Sequence, residues 1–323
     1  MRELEEIDIV ILKELLRDGR KSFADIARQN NLSKDVVWKH YKDMEKAGII
    51  VGATVQYNYQ KFGFEGIVYI VVNCESQNFN KVFEALSKLS NIFPFELYNS
   101  PYNIGVITGI KSLKHFDELK EMLKGQNPIN SFKTYLWTDV RNLPENLVFS
   151  SADKKKTADS ANDGGTRKKG HVKLDETDLQ IVEALVKDGR LPFSRIGQSL
   201  GISTDTVTRR YLRLVENDYI KVSIQINPKM LGYKAILNFF LAFLSQNEMQ
   251  KGIDSLSKIP NITYLVKISG DYDLQVVSLI KTVDEMIALN KEIMKIPYIG
   301  GMEAVIREIP PVWPGQRQHI STF

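Results

Sequence analysis

The sequence predicts an α+β protein in which two winged helix-turn-helix domains alternate with two ferredoxin-like βαββαβ domains. Three observations lead there. The chain is written twice at a constant spacing. Each copy opens with three short amphipathic helices separated by turn residues. Each copy then continues with apolar strands and amphipathic helices in the order βαββαβ.

The repeat sets the architecture. Leu4-Glu5-Glu6-Ile7-Asp8 stands against Leu174-Asp175-Glu176-Thr177-Asp178, and Asp18-Gly19-Arg20 against Asp188-Gly189-Arg190. The offset holds along the copy: 188 − 18 = 170, and for Tyr41 and Tyr211, 211 − 41 = 170. It resumes where Ser87-Lys88 matches Ser257-Lys258 and Asn91-Ile92 matches Asn261-Ile262. A solenoid unit is roughly 20–50 residues, so this is a duplicated two-domain protomer.

The stretch from Ser203 to Ile220 is the one the chain is organised around. Ser203 is a good N-cap, because its hydroxyl accepts a free backbone N–H of the first turn. Val207, Tyr211 and Leu214 form one buried stripe, and Thr208, Arg209 and Arg213 fall away from it. Phe193 to Leu200 gives a shorter helix before the Gly201-Ile202 turn. A helix, a glycine turn and a second helix with a basic outer face make a helix-turn-helix. The bland alternative is a helical hairpin with a solvated charged face.

In the first copy, Leu4 to Arg17 is a helix whose inner face carries Ile9, Leu12, Leu15 and Leu16. Gly19 is expected to end it in a C-cap conformation. Ser22 and Ser33 cap the next two helices, and Ala47-Gly48 closes the third. Ile49–Val51 and Ala53–Tyr57 then read as two short strands of a wing. From Phe64 the texture changes. Strands over Ile67–Val72, Phe93–Tyr98, Ile104–Ile110 and Phe132–Trp137 enclose helices over Phe79–Leu89 and Leu113–Leu123. The second copy repeats this over Ile236–Leu244, Glu248–Ser257, Thr263–Ile268, Asp273–Ile280, Val283–Met294 and Met302–Ile309. The expected units are therefore 1–60 and 172–229 as winged helix-turn-helix domains, 61–149 and 230–323 as βαββαβ domains, and 150–171 as a linker. The linker is rich in Lys, Ser, Asp and Gly and cannot bury enough surface to fold. Pro310 to Pro314 reads as an extended tail laid on the last domain.

Composition narrows the function. Of 323 residues, 43% are hydrophobic, and the net charge is only +4. Any nucleic-acid surface is thus local. Cys74 is the single cysteine, which excludes an intramolecular disulfide and gives no metal framework. No apolar run approaches the roughly 18 residues that span a bilayer, and the acidic start MRELEEID lacks a signal core. The expectation is a cytoplasmic protein without membrane partners, cofactor or metal.

The modules LDETDLQIVEALVKDGRLPFSRIGQSLGIS and TVTRRYLRLVENDYI, followed by βαββαβ, resemble the Lrp/AsnC (feast/famine) family of transcription regulators. The resemblance covers nearly everything except linker and tail. One departure is Asp218, which stands where the family usually has Gly and where the first copy has Gly48. The resemblance implies a RAM-type effector domain that pairs with another copy, within the chain or between chains. It also implies a small effector, commonly an amino acid, near the loop Gly270-Asp271-Tyr272-Asp273. There Gly270 admits backbone approach and two aspartates suit an ammonium; the plain alternative is a strand-connecting turn. In the first half Ser100-Pro101-Tyr102-Asn103 replaces that loop, so the effector loop there reads as degenerate.

Double-stranded DNA is the implied partner. Arg209 and Thr208 are the base-reading candidates, and Ser203, Thr204, Arg210 and Arg213 are assigned to phosphates or positioning. In the first copy the candidates are Ser33, Lys34, Trp38, Lys39 and Lys42; Trp38 either packs on a sugar or is buried. His40 and Asp43 replace Arg210 and Arg213, so the second module reads as the stronger binder. Two other classes stay in view. One is an architectural DNA binder without effector response. The other is a haem-precursor decarboxylase, since some of these share the two-domain layout. No catalytic constellation is evident, and the four histidines, His40, His115, His171 and His319, are scattered.

Overall fold

The computed structural model describes residues 3–89, 92–125, 128–149 and 173–320. The expected linker, 150–171, lies outside the described residues.

Each copy opens with three helices, α1 (Glu6–Arg17), α2 (Phe23–Gln29) and α3 (Lys34–Lys46) in the first, α6 (Glu176–Lys187), α7 (Phe193–Leu200) and α8 (Thr204–Glu216) in the second. Ser22, Ser33 and Ser203 cap α2, α3 and α8 by accepting the amides of Asp25, Val36 and Thr206. Gly48 and Asp218 both adopt left-handed backbone, with φ of 69° and 56°, so the second copy keeps the turn that the sequence departure put in doubt.

The wing expectation is corrected. Residues 50–57 form one strand, β1 (Ile50–Tyr57), which pairs antiparallel with β6 (Ile220–Ile226) of the other copy. Ala53 faces Ile224 and Thr54 faces Ser223. Because 53 + 170 = 223 and 54 + 170 = 224, the two pairs are related by a local twofold. The strands are also exchanged between cores. Val55 and Tyr57 pack with Ile181, Leu185 and Val207 of the second module, while Ile224 and Ile226 pack with Ile11, Leu15 and Val37 of the first. Thr54 Oγ1 donates to the Val186 carbonyl at 2.9 Å, and Ser223 Oγ to that of Leu16 at 3.0 Å. A hairpin was the local solution for these residues; burial across the repeat won.

Gly19 and Gly189 explain the exchange. Neither has positive φ among the described residues, so the expected C-cap role is wrong. A Cβ on Gly19 would lie 2.7 to 2.9 Å from the backbone of Ser223, and one on Gly189 would lie 2.8 Å from the Thr54 nitrogen. The glycines let each helix end touch the ribbon, where Gly19 N donates to Val222 O and Gly189 N to Ala53 O.

The rest folds as β2 (Gly66–Cys74), α4 (Phe79–Ser87), β3 (Ile92–Tyr98), β4 (Ile104–Ile110), α5 (Leu113–Gly125) and β5 (Ile129–Asn142), then β7 (Ala235–Phe243), α9 (Gln246–Leu256), β8 (Ile262–Ser269), β9 (Leu274–Ile280), α10 (Val283–Met294) and β10 (Ile299–Glu308). β5 outruns its expected Phe132–Trp137 span because its far end finds a partner in the other half. The sheets, β3-β4-β2-β5 and β8-β9-β7-β10, join edge to edge into a closed barrel. Closure removes the exposed edges of both sheets. Side chains alternate: Val68, Ile70 and Val72 meet Val82, Leu86 and Leu119 of the outer helices, while Tyr69 and Val71 turn inward. The two seams differ. β5 pairs with β8 from Leu136↔Ser269 to Asn142↔Tyr264, but β10 meets β3 only at Ile306↔Tyr98 and Arg307↔Leu97.

The tail crosses the ribbon. Trp313 pairs with Ile226, Tyr57 N donates to Gln318 O, and Ile320 N to Tyr57 O. Arg317 reaches Glu183 on α6 at 2.6 Å. Among the described residues no helix is long and apolar enough to cross a membrane.

Candidate nucleic-acid interface

The helix-turn-helix modules are locked by an arginine exchange that the sequence reading left without a role. Arg20 Nη1 donates to the carbonyls of Gly189 (2.7 Å) and Leu191 (3.1 Å), and Arg190 Nη1 to that of Gly19 (2.6 Å). Arg20 lies 4.0 Å over the Phe193 ring, and Arg190 lies 4.8 Å over Phe23. The signal was present: Asp-Gly-Arg occurs twice at the same offset, and a guanidinium beside a helix end has carbonyls to satisfy.

The face of α8 is divided. Arg209 is exposed, and Ser203 and Thr204 lie at the exposed start of the helix. Thr208 is half-buried, and its hydroxyl donates to the Thr204 carbonyl at 2.9 Å. Arg210 turns back onto α6, where Nη1 donates to Asp175 at 2.7 Å and to Asp178 at 2.8 Å. Arg213 binds the other oxygen of Asp178, which is fully buried. Hydrogen bonding to Asp178 raises the Arg210 pKa, and the Asp178 amide, followed by Arg210, lowers that of Asp175. Of the two roles assigned to Arg210 and Arg213, positioning is the one their contacts serve. They aim α8 by tying it to the cap of α6.

The first copy holds its helix differently. His40 Nδ1 lies 2.8 Å from Asp8 Oδ1, at the place of Arg210 and Asp178. Asp43, at the place of Arg213, is exposed. Glu5, Asp8 and His40 gather donor atoms within 4.8 Å of one another, a spacing open to a metal ion. Asp8 is already engaged there, accepting the Glu5 amide at 3.0 Å and facing His40. Lys34 and Lys39 are exposed, and Lys42 is exposed beside Glu45 at 2.6 Å. Trp38 is 51% exposed, so burial is excluded.

The loop Gly270–Asp273 bridges the halves. Gly270 lies against Tyr135, where a Cβ would meet its ring at 2.9 Å. Asp271 pairs with Lys133 of the first half at 2.7 Å, and the Tyr272 hydroxyl donates to Glu303 at 2.9 Å. Asp273 accepts the Phe243 amide (2.8 Å) and the Gln246 side chain (3.1 Å), which folds the loop. In the matching loop of the first half Asn103 does the same, accepting from the Cys74 amide at 3.1 Å and donating to its carbonyl at 2.7 Å.

Residues 174–215 match the AsnC-type helix-turn-helix domain, and residues 4–51 match the winged helix-turn-helix DNA-binding model. The HTH-type transcriptional regulator FL11 of Pyrococcus furiosus is 34% identical over 131 residues, which are 40% of this chain and 84% of the regulator. The chain belongs to the Lrp/AsnC family of transcription regulators. A second Lrp/AsnC relative, the HTH-type transcriptional regulator Ptr1 of Methanocaldococcus jannaschii, is 31% identical over 114 residues, 35% of this chain and 76% of that one. Over 98% of its length the chain also shares its fold with a solved structure, the siroheme decarboxylase NirDL, at a TM-score of 0.64 and 12% identity, covering 93% of that chain. Family membership implies DNA as a partner, and the α+β fold expected from the sequence is the one observed.

Proposed function

We propose that this chain is a cytoplasmic transcription regulator that carries both halves of a DNA-reading pair in one polypeptide, divided into domains as the sequence predicts. The observation that carries the reading is the reciprocal Arg20 and Arg190 exchange across the β1–β6 ribbon. It fixes the two modules to each other while the outer faces of α3 and α8 remain exposed. Two recognition helices held about one helical turn of DNA apart read two half-sites. Here the helices differ, so the operator is asymmetric. Arg209 reads bases, Lys34 and Lys39 bind phosphates, and the second module dominates. A small effector acts through the barrel between the halves.

The test is capture of fragmented genomic DNA at moderate and high salt, followed by sequencing. A few sites that survive high salt are expected. Recovery only at low salt, without sequence preference, points to an architectural binder instead.

Fold likeness across nearly the whole chain keeps a decarboxylase as the second reading. Against it, the described histidines do not converge on one site, and only His319 lies near a seam, lining a small cavity with Trp137 and Asp139 of β5. His40 faces Asp8, His115 accepts the Lys111 amide, and His319 sits under the tail beside Tyr57. Added tetrapyrrole that is bound and loses carbon dioxide would displace the regulator reading.

A further inference from the structure

The two barrel seams are equivalent by the repeat but unlike in chemistry. Beside the β5–β8 seam Lys133 is paired with Asp271, while Glu303 of β10 accepts a hydrogen bond from the Tyr272 hydroxyl. At the short β3–β10 seam Arg307 has no carboxylate partner among the described residues. Its Nε is sealed from solvent without a hydrogen bond, and its guanidinium lies 4.0 Å over the Phe95 ring. Burial pulls its pKa down to about 10. Tyr69 meets the same ring from the barrel interior, stacked at 5.8 Å, and is fully buried with an unbonded hydroxyl. A run of rings continues inward from Tyr69 to Tyr135 and Phe240, at 6.2 and 5.8 Å.

Such groups are costly to keep. A half-buried guanidinium whose Nε is sealed without a partner and a buried hydroxyl without a partner each disfavour the folded state. Native proteins satisfy nearly all buried polar groups, and the exceptions concentrate where a ligand arrives. Arg307 Nε can only donate and the Tyr69 hydroxyl can donate, and both residues meet the Phe95 ring, so one acceptor would serve both. Their missing partner is therefore an acceptor, and a guanidinium prefers an anionic, planar one. The surrounding rings favour a flat apolar body.

We propose that Arg307 and Tyr69 form a binding site at the β3–β10 seam for a small carboxylate with a flat apolar body. The purpose of the site rests on the effector reading, but its test does not. It places the ligand's charge on Arg307, whereas the sequence pattern pointed to an ammonium on Asp271 and Asp273. The seam that opens for entry is the one held by two residue pairs.

Calorimetric titration of the full chain with phenylpyruvate tests this, with 2-phenylethylamine as the cationic counterpart. Phenylpyruvate is expected to bind saturably and the amine not to. Arg307→Met removes a charge-assisted contact and is expected to weaken binding about 10–100-fold. Tyr69→Phe deletes only an unbonded buried oxygen, so it is expected to fold at least as stably and still lose about 3–10-fold. That combination guards against a folding failure of Arg307→Met. Absence of saturable heat, equal affinity in wild type and both variants, or preference for the amine overturns the site. DNA capture on the same preparation separates the two readings. Ligand binding without DNA capture counts against the regulator alone, and DNA capture without ligand binding counts against this site alone.

Discussion

Replacing Gly19 by alanine tests why the helix-turn-helix modules cannot be separated. The new methyl would sit 2.7 to 2.9 Å from three backbone atoms of Ser223, and backbone cannot swing away as a side-chain end can. Overpacking of this kind costs about 1–3 kcal/mol. The shift it forces also endangers the 2.9 Å bond from Gly19 N to Val222 O, a further loss of about 1 kcal/mol. The sum is about 2–4 kcal/mol, borne by the ribbon that both modules share. For a unit of this size that lowers the melting midpoint by on the order of 5–15 °C. Gly48→Ala is the control. It meets nothing within 4 Å but has φ of 69°, so it pays only the left-handed backbone cost of about 1 kcal/mol. Thermal unfolding followed by circular dichroism compares the two. If Gly19→Ala melts within 1 °C of wild type, or if Gly48→Ala is the more damaging, then helix termination and not close approach is what the glycine supplies.

Four further outcomes rest on the geometry. Arg209→Ala is expected to leave stability unchanged while weakening DNA binding by about 1–3 kcal/mol if the guanidinium reads a base. Arg210→Ala is expected to destabilise by about 1–3 kcal/mol, less than a fully buried pair would lose, because its side chain is 22% exposed and Arg213 still faces Asp178. Binding titrations and denaturant unfolding of both variants check the contrast, and interchanged effects would refute it. Burial lowers the His319 pKa to about 4, against an ordinary value of about 6.5. The folded chain keeps that ring neutral, so its contribution is complete above about pH 6.5 and is lost as pH falls toward 4, by up to about 3 kcal/mol. Acid titration is expected to loosen the tail from the ribbon, and His319→Asn is expected to flatten that dependence. Trp38, half exposed on α3, is expected to change fluorescence when operator DNA binds; an unchanged signal would remove the first module from the interface.

Much of this protein is written in local pattern. Ser22, Ser33 and Ser203 announce their helices, because a cap hydroxyl and the amides it accepts are neighbours in sequence. The 170-residue offset, with period-two strands and amphipathic helices between, determines the fold class, and the recognition helices follow from the stripe of Val207, Tyr211 and Leu214. What tertiary structure decided is every pairing between the copies. Residues 50–57 read as a hairpin, yet they became one strand because burial in the other module's core outweighs a local turn. Gly19 read as a helix stop, yet it is a contact point for a strand some two hundred residues away. Arg210 read as a basic face, yet it bends onto Asp175 and Asp178, since a buried carboxylate recruits the nearest guanidinium. Arg307 drew no attention in a strand pattern, because the lack of a partner is visible only when the whole barrel closes around it. Periodicity and capping act over a few residues and survive in one dimension, whereas charge compensation and close approach depend on which distant residues arrive.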